Sequence, residues 1–439
     1  MSTPAEELPA PLAAGPGAAV PAPPAAVGPA DPPPPGRWLW VAYPVALLGI
    51  NAVWGAVLQV LLGRQVAELV GPGAAAAGTL GAVVSVGAVS SLIAQPLLGR
   101  LSDRTSGRFL GRRNVWVLGS AVAGAAALVA TGLSGSTVVV SVLWAVAMWP
   151  LSGVQAALTA VLPERIPVGR RGAMSGIAGT TQILGAFVGV AVAGQASTVS
   201  AGYLAAAVLL VVPSALFALT TRDPSRGRPA PARAETAETG ARFPTFRSAP
   251  DFWWTFISRF LVIFAFQLSM GFQLYTLRDY IRVGDGSLEA AQTALVGMSG
   301  ISTVATLLAS LLAGFAADRL GRLKPFVFAS ALIGIPASVV ILVSPTYTGA
   351  LVTAALTGLG MGAYLSVDQA LISRVIPSLD NAARDLGLIN IANAGPQVIA
   401  PVIAGAIVAA TGRYELLYVL LAVFVVPGAL AVLRVRSVR

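Results

Sequence analysis

Long apolar segments, separated by short loops rich in glycine, proline or charge, make up most of this chain. A helix needs about 20 mostly apolar residues to cross a bilayer. Because a lone helix satisfies its own backbone hydrogen bonds in lipid, the pattern predicts an all-α membrane protein with twelve transmembrane helices. The predicted spans are 38–62, 73–98, 115–133, 137–162, 173–197, 200–219, 251–276, 290–316, 325–344, 347–376, 387–411 and 413–433.

The composition agrees with a chain that lies within the lipid bilayer. It is 56% hydrophobic and only 10% charged, over 439 residues. The absence of cysteine and histidine excludes disulfides, thiol nucleophiles, histidine metal sites and a Ser-His-Asp triad. No Gly-x-x-x-x-Gly-Lys loop for ATP occurs either. We therefore predict a protein that is not an enzyme, with no catalytic residues, metal or cofactor.

The basic residues fall on one side of the predicted membrane. Segments on the side of both termini carry 23 of the 28 basic residues, whereas the loops on the other side carry four arginines. This is the positive-inside pattern, which predicts a multi-pass protein of the cell membrane with both termini in the cytoplasm. The net charge of +10 is thereby explained without a nucleic-acid partner.

Two segments, one before the first span and one between the sixth and seventh spans, have a composition unlike that of the spans. Residues 1–36 contain twelve prolines and many alanines, which predicts a disordered cytoplasmic tail. Residues 220–250, rich in proline, arginine, alanine and threonine, separate the sixth and seventh spans. We therefore expect an N-terminal six-helix bundle at 37–219, a cytoplasmic linker at 220–250 and a C-terminal six-helix bundle at 251–439.

The two halves share an internal repeat. With an offset of 214 residues, "LSGVQAALTAVLPERIPVGRRGAMSGIAG" at 151–179 aligns without a gap to "LSVDQALISRVIPSLDNAARDLGLINIAN" at 365–393. Six spans separate the copies, so both halves enter the membrane in the same orientation. The repeat predicts two pseudo-symmetric bundles about a central cavity.

The loop after the second span contains Gly-x-x-x-Asp-Arg-x-x-Gly-Arg, and a looser copy follows the eighth span. With these motifs the chain resembles the major facilitator superfamily. "SDRTSGRFLGRR" at 102–113 and the Pro-x-x-Ile-Pro-x-x-x-Arg-Gly run after the fourth span resemble its glycoside and sucrose cation-symporter branch. The resemblance implies the superfamily fold and transport by alternating access.

Residues of these two loops, together with one arginine from each of the loops after the fourth and tenth spans, are candidates for a conformational latch. An acid beside arginines at the end of one helix can pair with a neighbouring helix and must release it when the halves rotate. The alternative is that the arginines only set membrane topology. The candidates are Gly99, Asp103, Arg104, Arg108, Arg112, Arg171, Asp318, Arg319, Arg322 and Arg384.

Two charged residues lie well inside predicted spans, Asp368 in the tenth and Arg259 in the seventh. Each is eight or nine residues from the cytoplasmic end of its span, so both lie roughly 12–14 Å deep at 1.5 Å per residue. The resemblance implies that these two spans line the cavity. We expect an Arg259–Asp368 pair that faces an aqueous path and couples proton or substrate binding; a purely structural salt bridge is the alternative.

Polar and aromatic residues on the spans that would face the cavity are candidates for substrate contacts. Aromatic faces with amide groups suit sugar rings or flat organic molecules, although tryptophans near span ends are also common interfacial anchors. The candidate residues are Asn51, Trp54, Trp144, Met148, Gln155, Gln267, Tyr364 and Gln369.

These observations predict a secondary transporter for a small organic solute. We favour proton-coupled uptake of a sugar-like molecule. The alternative is export of a drug or secondary metabolite, which the apolar, aromatic fourth span favours; a membrane enzyme or scaffold is a third class. We expect a monomer whose partners are the small-molecule substrate, protons and the lipid bilayer.

Overall fold

The computed structural model describes residues 36–71, 73–105, 110–226, 245–247, 249–375 and 382–436, although a few side chains within these ranges are not described. Within them, twelve helices are long and apolar enough to cross a membrane, which confirms the predicted fold class. Most of the predicted tail (1–36) and linker (220–250) lies outside the described residues. The helices are α1 Leu39–Val70, α2 Ala74–Arg104, α3 Arg112–Gly132, α4 Thr137–Arg165, α5 Val168–Gly194, α6 Val199–Thr220, α7 Pro250–Met270, α8 Leu288–Leu320, α9 Lys324–Val343, α10 Tyr347–Val375, α11 Ala382–Thr411 and α12 Glu415–Leu433.

Local sequence signals explain where several helices begin and end. The Thr198 hydroxyl accepts a hydrogen bond from the Ala201 amide (3.1 Å) at the start of α6, and Ser287 accepts one from Ala290 (3.2 Å) at the start of α8. Such side chains satisfy amides that have no partner in the first turn. Gly321 ends α8 with a φ of +61°, a conformation that glycine adopts without steric cost.

Two π-helical turns interrupt the regular helices at matching places in the halves. In α1 the π turn is Val57–Leu61. After α7, a short helix at Gln273–Tyr275 leads into the π turn Thr276–Tyr280. A π turn accommodates an extra residue and breaks the i to i−4 hydrogen-bond ladder, so each helix has a discontinuity there.

The helices pack in the same pattern in both halves. In the N-terminal half, α1 packs against α5 and α6, α2 against α4, and α3 against α4 and α6. In the C-terminal half, α7 packs against α11 and α12, α8 against α10, and α9 against α10 and α12. The correspondence confirms two pseudo-symmetric six-helix bundles.

Small residues bring α1 and α5 together. A Cβ on Gly55 would collide with the main chain of Ala186, and a Cβ on Gly189 would collide with that of Ala52. Close backbone approach at glycine and alanine is typical of helix packing in membranes, where lipid removes the usual hydrophobic driving force.

The halves contact each other through α2 against α11 and α5 against α8. We call the end of the bundle that carries residues 36 and 436 the terminal end, and the other the opposite end. At the opposite end, the Cβ of an alanine at Gly81 would lie 2.7 Å from the Pro401 carbonyl oxygen and 3.0 Å from the Gly405 Cα. Gly194 contacts Val296 near the same end.

Candidate functional site

Arg259 of α7 and Asp368 of α10 form an ion pair through one guanidinium nitrogen and one carboxylate oxygen. The structure thus brings together the two charged residues that the sequence places at equal depth. Their side chains are only 5% and 2% exposed, respectively. The pair is therefore enclosed within the C-terminal bundle, which differs from the expected position facing an aqueous path.

Three helices supply the walls around this pair. Ser258, next to Arg259, donates to the Gly428 carbonyl of α12 (2.8 Å), which ties α7 to α12. Tyr364 lies one turn before Asp368 and is fully buried; its hydroxyl faces Asp368 and Ser258 without a well-aligned hydrogen bond to either. The Arg259 Nε has no hydrogen-bond partner among the described residues. The site thus holds polar groups whose hydrogen bonding is incomplete.

The predicted substrate residues divide into two groups by exposure. Trp54, Gln155 and Gln267 are partly exposed, whereas Asn51, Trp144, Met148 and Tyr364 are buried. The side chain of Gln369 lies outside the described residues.

The burial of Trp144 and Asn51 has local causes. Trp144 packs its indole against Gly87 of α2 and meets the Trp54 ring edge-on, with centroids 6.5 Å apart. The Asn51 amide donates to the Leu47 carbonyl of its own helix (2.7 Å). A Cβ on Gly185 of α5 would lie 2.8 Å from the Asn51 Cβ, so Asn51 faces α5 as Trp144 faces α2. Both residues were expected to line the cavity, and in this structure they pack between helices.

Three phenylalanines of α7, Phe256, Phe260 and Phe264, form a stacked row that we call the phenylalanine ladder. It was not identified from the sequence. The rings of Phe256, Phe260 and Phe264 stack in parallel, with successive centroids 6.4 and 6.2 Å apart. Phe256 and Phe260 are partly exposed, and Phe260 contacts Gly395 of α11. The i, i+4 spacing of phenylalanine was the available signal, since such residues share one helix face.

Several predicted latch residues have described neighbours. Arg112 forms an ion pair with Glu164 (3.0 Å), and Arg171 donates to the carbonyls of Ile166 (2.9 Å) and Pro163 (2.8 Å) at the end of α4. A Cβ on Gly99 would meet no atom within 4 Å. Arg319 and Arg322 are exposed. Arg108 lies outside the described residues, as do the side chains of Asp103, Arg104, Asp318 and Arg384.

A second buried ion pair, missed from sequence, lies at the terminal end. Arg165 at the end of α4 pairs with Asp223 after α6 (2.7 Å), and each side chain is 3% exposed. Asp223 also accepts the Arg113 amide at the start of α3 (2.8 Å). The Arg165 guanidinium also donates to the side chain of Asn114 (2.9 Å). The available signal was an acid in the first residues after the sixth span.

Burial alone would raise the pKa of Asp223. The charge of Arg165, together with hydrogen bonds from Ser225 and the Arg113 amide, instead holds the pKa of Asp223 below its ordinary value of 3.8. Asp223 is therefore a carboxylate that links the ends of α3, α4 and α6.

Two alike six-helix bundles, joined through α2, α5, α8 and α11, define a polytopic membrane protein of the transporter type. The family description Major Facilitator Superfamily matches residues 39–302 and 286–439. The chain belongs to this superfamily, as the loop motifs and repeat predicted. It is thus a multi-pass membrane protein of a transporter family.

Solved structures of transporters share this fold. One is a bacterial homolog of the human lysosomal transporter Spinster, in an inward-facing and occupied conformation, with a TM-score of 0.68, 16% identity and coverage of 90% of this chain and 95% of that one. Another is the nucleoside transporter NupG, with a TM-score of 0.67, 16% identity and coverage of 90% and 98%. At these identities the likeness shows the fold alone. No curated protein matches the sequence.

Proposed function

We propose that the chain moves a small polar organic solute of the sugar class across the cytoplasmic membrane by alternating access, with protons coupled through Asp368 and Arg259. Both termini lie in the cytoplasm under this proposal, as the arginine distribution indicates. The observation that carries the proposal is the enclosed ion pair between α7 and α10.

The contacts between the halves support a rocking motion. Their close approach at Gly81 and Gly405 consists of small residues that meet backbone to backbone, and such a surface can separate without breaking an ion pair. A rigid bundle on each side of this surface can then rotate as a unit. The contacts of Gly81 with Gly405 and of Gly194 with Val296 lie at the opposite end, and under this proposal that end is the closed one.

The ion pair supports coupling because its two charges depend on each other. An unpaired charge in the middle of a membrane helix costs roughly 2.5–3.5 kcal/mol on insertion scales. If Asp368 takes up a proton, Arg259 becomes such an unpaired charge and requires water or solute as a new partner. Proton binding is thereby linked to a rearrangement of α7 against α10.

The exposed part of the predicted substrate set fits a sugar-like molecule. The ring of Trp54 offers an apolar face, and Gln155 and Gln267 offer amide donors and acceptors. Phe256 and Phe260 add further aromatic surface on the same helix as Arg259. The structurally similar NupG is described as a nucleoside transporter. Nucleosides contain both a sugar and a planar base, so the same test includes them.

The test is uptake into proteoliposomes of labelled sugars and nucleosides, with and without an inward proton gradient. We expect gradient-driven accumulation by the parent, and only downhill exchange by Asp368→Asn. The matched control is Asp223→Asn, which alters another buried aspartate–arginine pair away from α7 and α10 and should keep accumulation. Accumulation by Asp368→Asn at the parent level would refute the coupling role.

Export of a hydrophobic drug or secondary metabolite is the second candidate. The partly exposed ring of Trp54 and the stacked rings of Phe256 and Phe260 favour it, because such aromatic surfaces are suited to large apolar rings. Drug susceptibility of cells that express the chain separates the two: an exporter raises resistance, and an uptake symporter leaves it unchanged.

A further inference from the structure

A hydrogen bond joins the two halves at the opposite end. The Tyr275 hydroxyl, at the end of the short helix after α7, donates to the main-chain carbonyl of Gly63 in α1 (2.8 Å). The Tyr275 side chain is fully buried. Among the described residues at this end, we find no second side-chain hydrogen bond between the halves.

Both partners of this bond lie beside a helix discontinuity. Gly63 follows the π turn Val57–Leu61 by two residues, and Tyr275 directly precedes the π turn Thr276–Tyr280. A π turn breaks the regular hydrogen-bond ladder, and sharp bends in helices commonly occur at such turns. The bond therefore joins the two halves at places where the regular helix is interrupted in each.

A chain of contacts in the C-terminal half holds the tyrosine ring. The Arg278 guanidinium lies 4.8 Å from the ring centroid of Tyr275. It also bonds to both carboxylate oxygens of Asp279 (2.6 and 2.9 Å), and Asp279 accepts from the Tyr414 hydroxyl (2.9 Å) just before α12. Arg278 is only 5% exposed, so its charge stays close to the ring.

We propose that Tyr275 and Gly63 form the gate that keeps the opposite end closed, and that Arg278, Asp279 and Tyr414 are positioning residues that aim the Tyr275 hydroxyl. The inference rests on the proposed function, in which this end must open to admit or release solute. Removal of the hydroxyl shifts the balance of states toward opening at this end and leaves the two bundles intact.

The absence of native cysteine permits a direct test. Ala77 of α2 is fully buried, and its carbonyl lies beside Gly405 of α11, so Ala77→Cys reports opening between the halves. Its rate of labelling by a membrane-impermeant maleimide is measured in proteoliposomes without substrate. We expect Tyr275→Phe to raise this rate about fivefold, the shift in population that corresponds to one neutral hydrogen bond.

Two further variants separate the gate from general loosening. Tyr414→Phe should raise the rate by a smaller factor, because it removes only support for the gate. Tyr203→Phe is the matched control: this buried tyrosine donates to Gln65 (2.9 Å) within the N-terminal half, and its loss should leave the rate unchanged. Equal labelling of Tyr275→Phe and the parent, or an equal rise with Tyr203→Phe, overturns the proposal.

The labelling test is independent of transport. If uptake is found and Tyr275→Phe leaves labelling unchanged, the gate is wrong and the proposed function stands. If Tyr275→Phe raises labelling but no solute is taken up, the gate stands and the proposed function fails.

Discussion

At the scale of single residues, Arg259 and Asp368 attract each other as opposite charges, but their burial removes water and leaves the hydrogen bonding of Arg259 incomplete. Two charges buried away from water lose several kcal/mol of hydration each, and only good geometry with further hydrogen bonds offsets that loss. Here the Arg259 Nε has no described partner. The pair is therefore a weak source of stability and is better explained by the proposed coupling.

This view predicts different results for single and double substitution. Asp368→Leu alone should destabilise the fold by roughly 3–5 kcal/mol, because it leaves Arg259 buried and unpaired. Arg259→Met with Asp368→Leu should restore most of the parent's thermal stability but abolish proton-driven accumulation. Thermal unfolding in detergent and uptake in proteoliposomes provide the two measurements. A double variant that still accumulates solute would show that the pair has only a structural role.

At the scale of elements, the ends of α3, α4 and α6 are joined through Asp223. Its carboxylate contacts Arg165 and the Arg113 amide, so the protonation of one group affects three helices. Gly111, just before α3, has a φ of +92°, and a Cβ there would collide with the Asp223 side chain. The absence of a side chain at Gly111 thus lets the Asp223 carboxylate reach the start of α3.

The lowered pKa of Asp223 predicts a stability change in acid. The stabilisation of the fold by the Asp223 carboxylate is complete when the pH is above 3.8, the ordinary pKa of the group. This stabilisation is lost as the pH falls from 3.8 through the lower pKa of Asp223 in the folded state. We expect Asp223→Asn to melt at a lower temperature than the parent at pH 6, and the difference to shrink toward pH 3. Thermal melts of both proteins across this range are the measurement; a constant difference would contradict the assignment.

At the scale of the whole molecule, the relation between the halves depends on the contact of α2 with α11. Gly81 and Gly405 meet there without side chains, and under the proposed mechanism this close approach closes the opposite end. Each bundle has its own internal contacts, so a change at this surface should alter how the halves are arranged more than how each is folded.

Gly81→Leu should therefore hold the opposite end open. The added side chain has no room between α2 and α11, whereas Gly119→Leu in α3 is a matched control because a Cβ there meets no atom within 4 Å. Spin labels on cysteines at Val70 and Glu289, two exposed positions at this end, measure the separation of the halves. We expect longer distances for Gly81→Leu alone, with reduced uptake; unchanged distances would argue against closure by these glycines.

The sequence by itself determined the twelve helices, the repeat and the depth of Arg259 and Asp368, because lipid imposes a minimum length on every span and helical rise converts sequence position into depth. Only the tertiary structure decided which face of each helix contacts which neighbouring helix. Trp144 packs against Gly87, and the Arg259–Asp368 pair is enclosed within one bundle. The bond of Tyr275 to Gly63 and the pairing of Arg165 with Asp223 likewise join residues far apart in the chain. Hydropathy records how apolar a segment is, whereas these contacts depend on which neighbour each helix face meets.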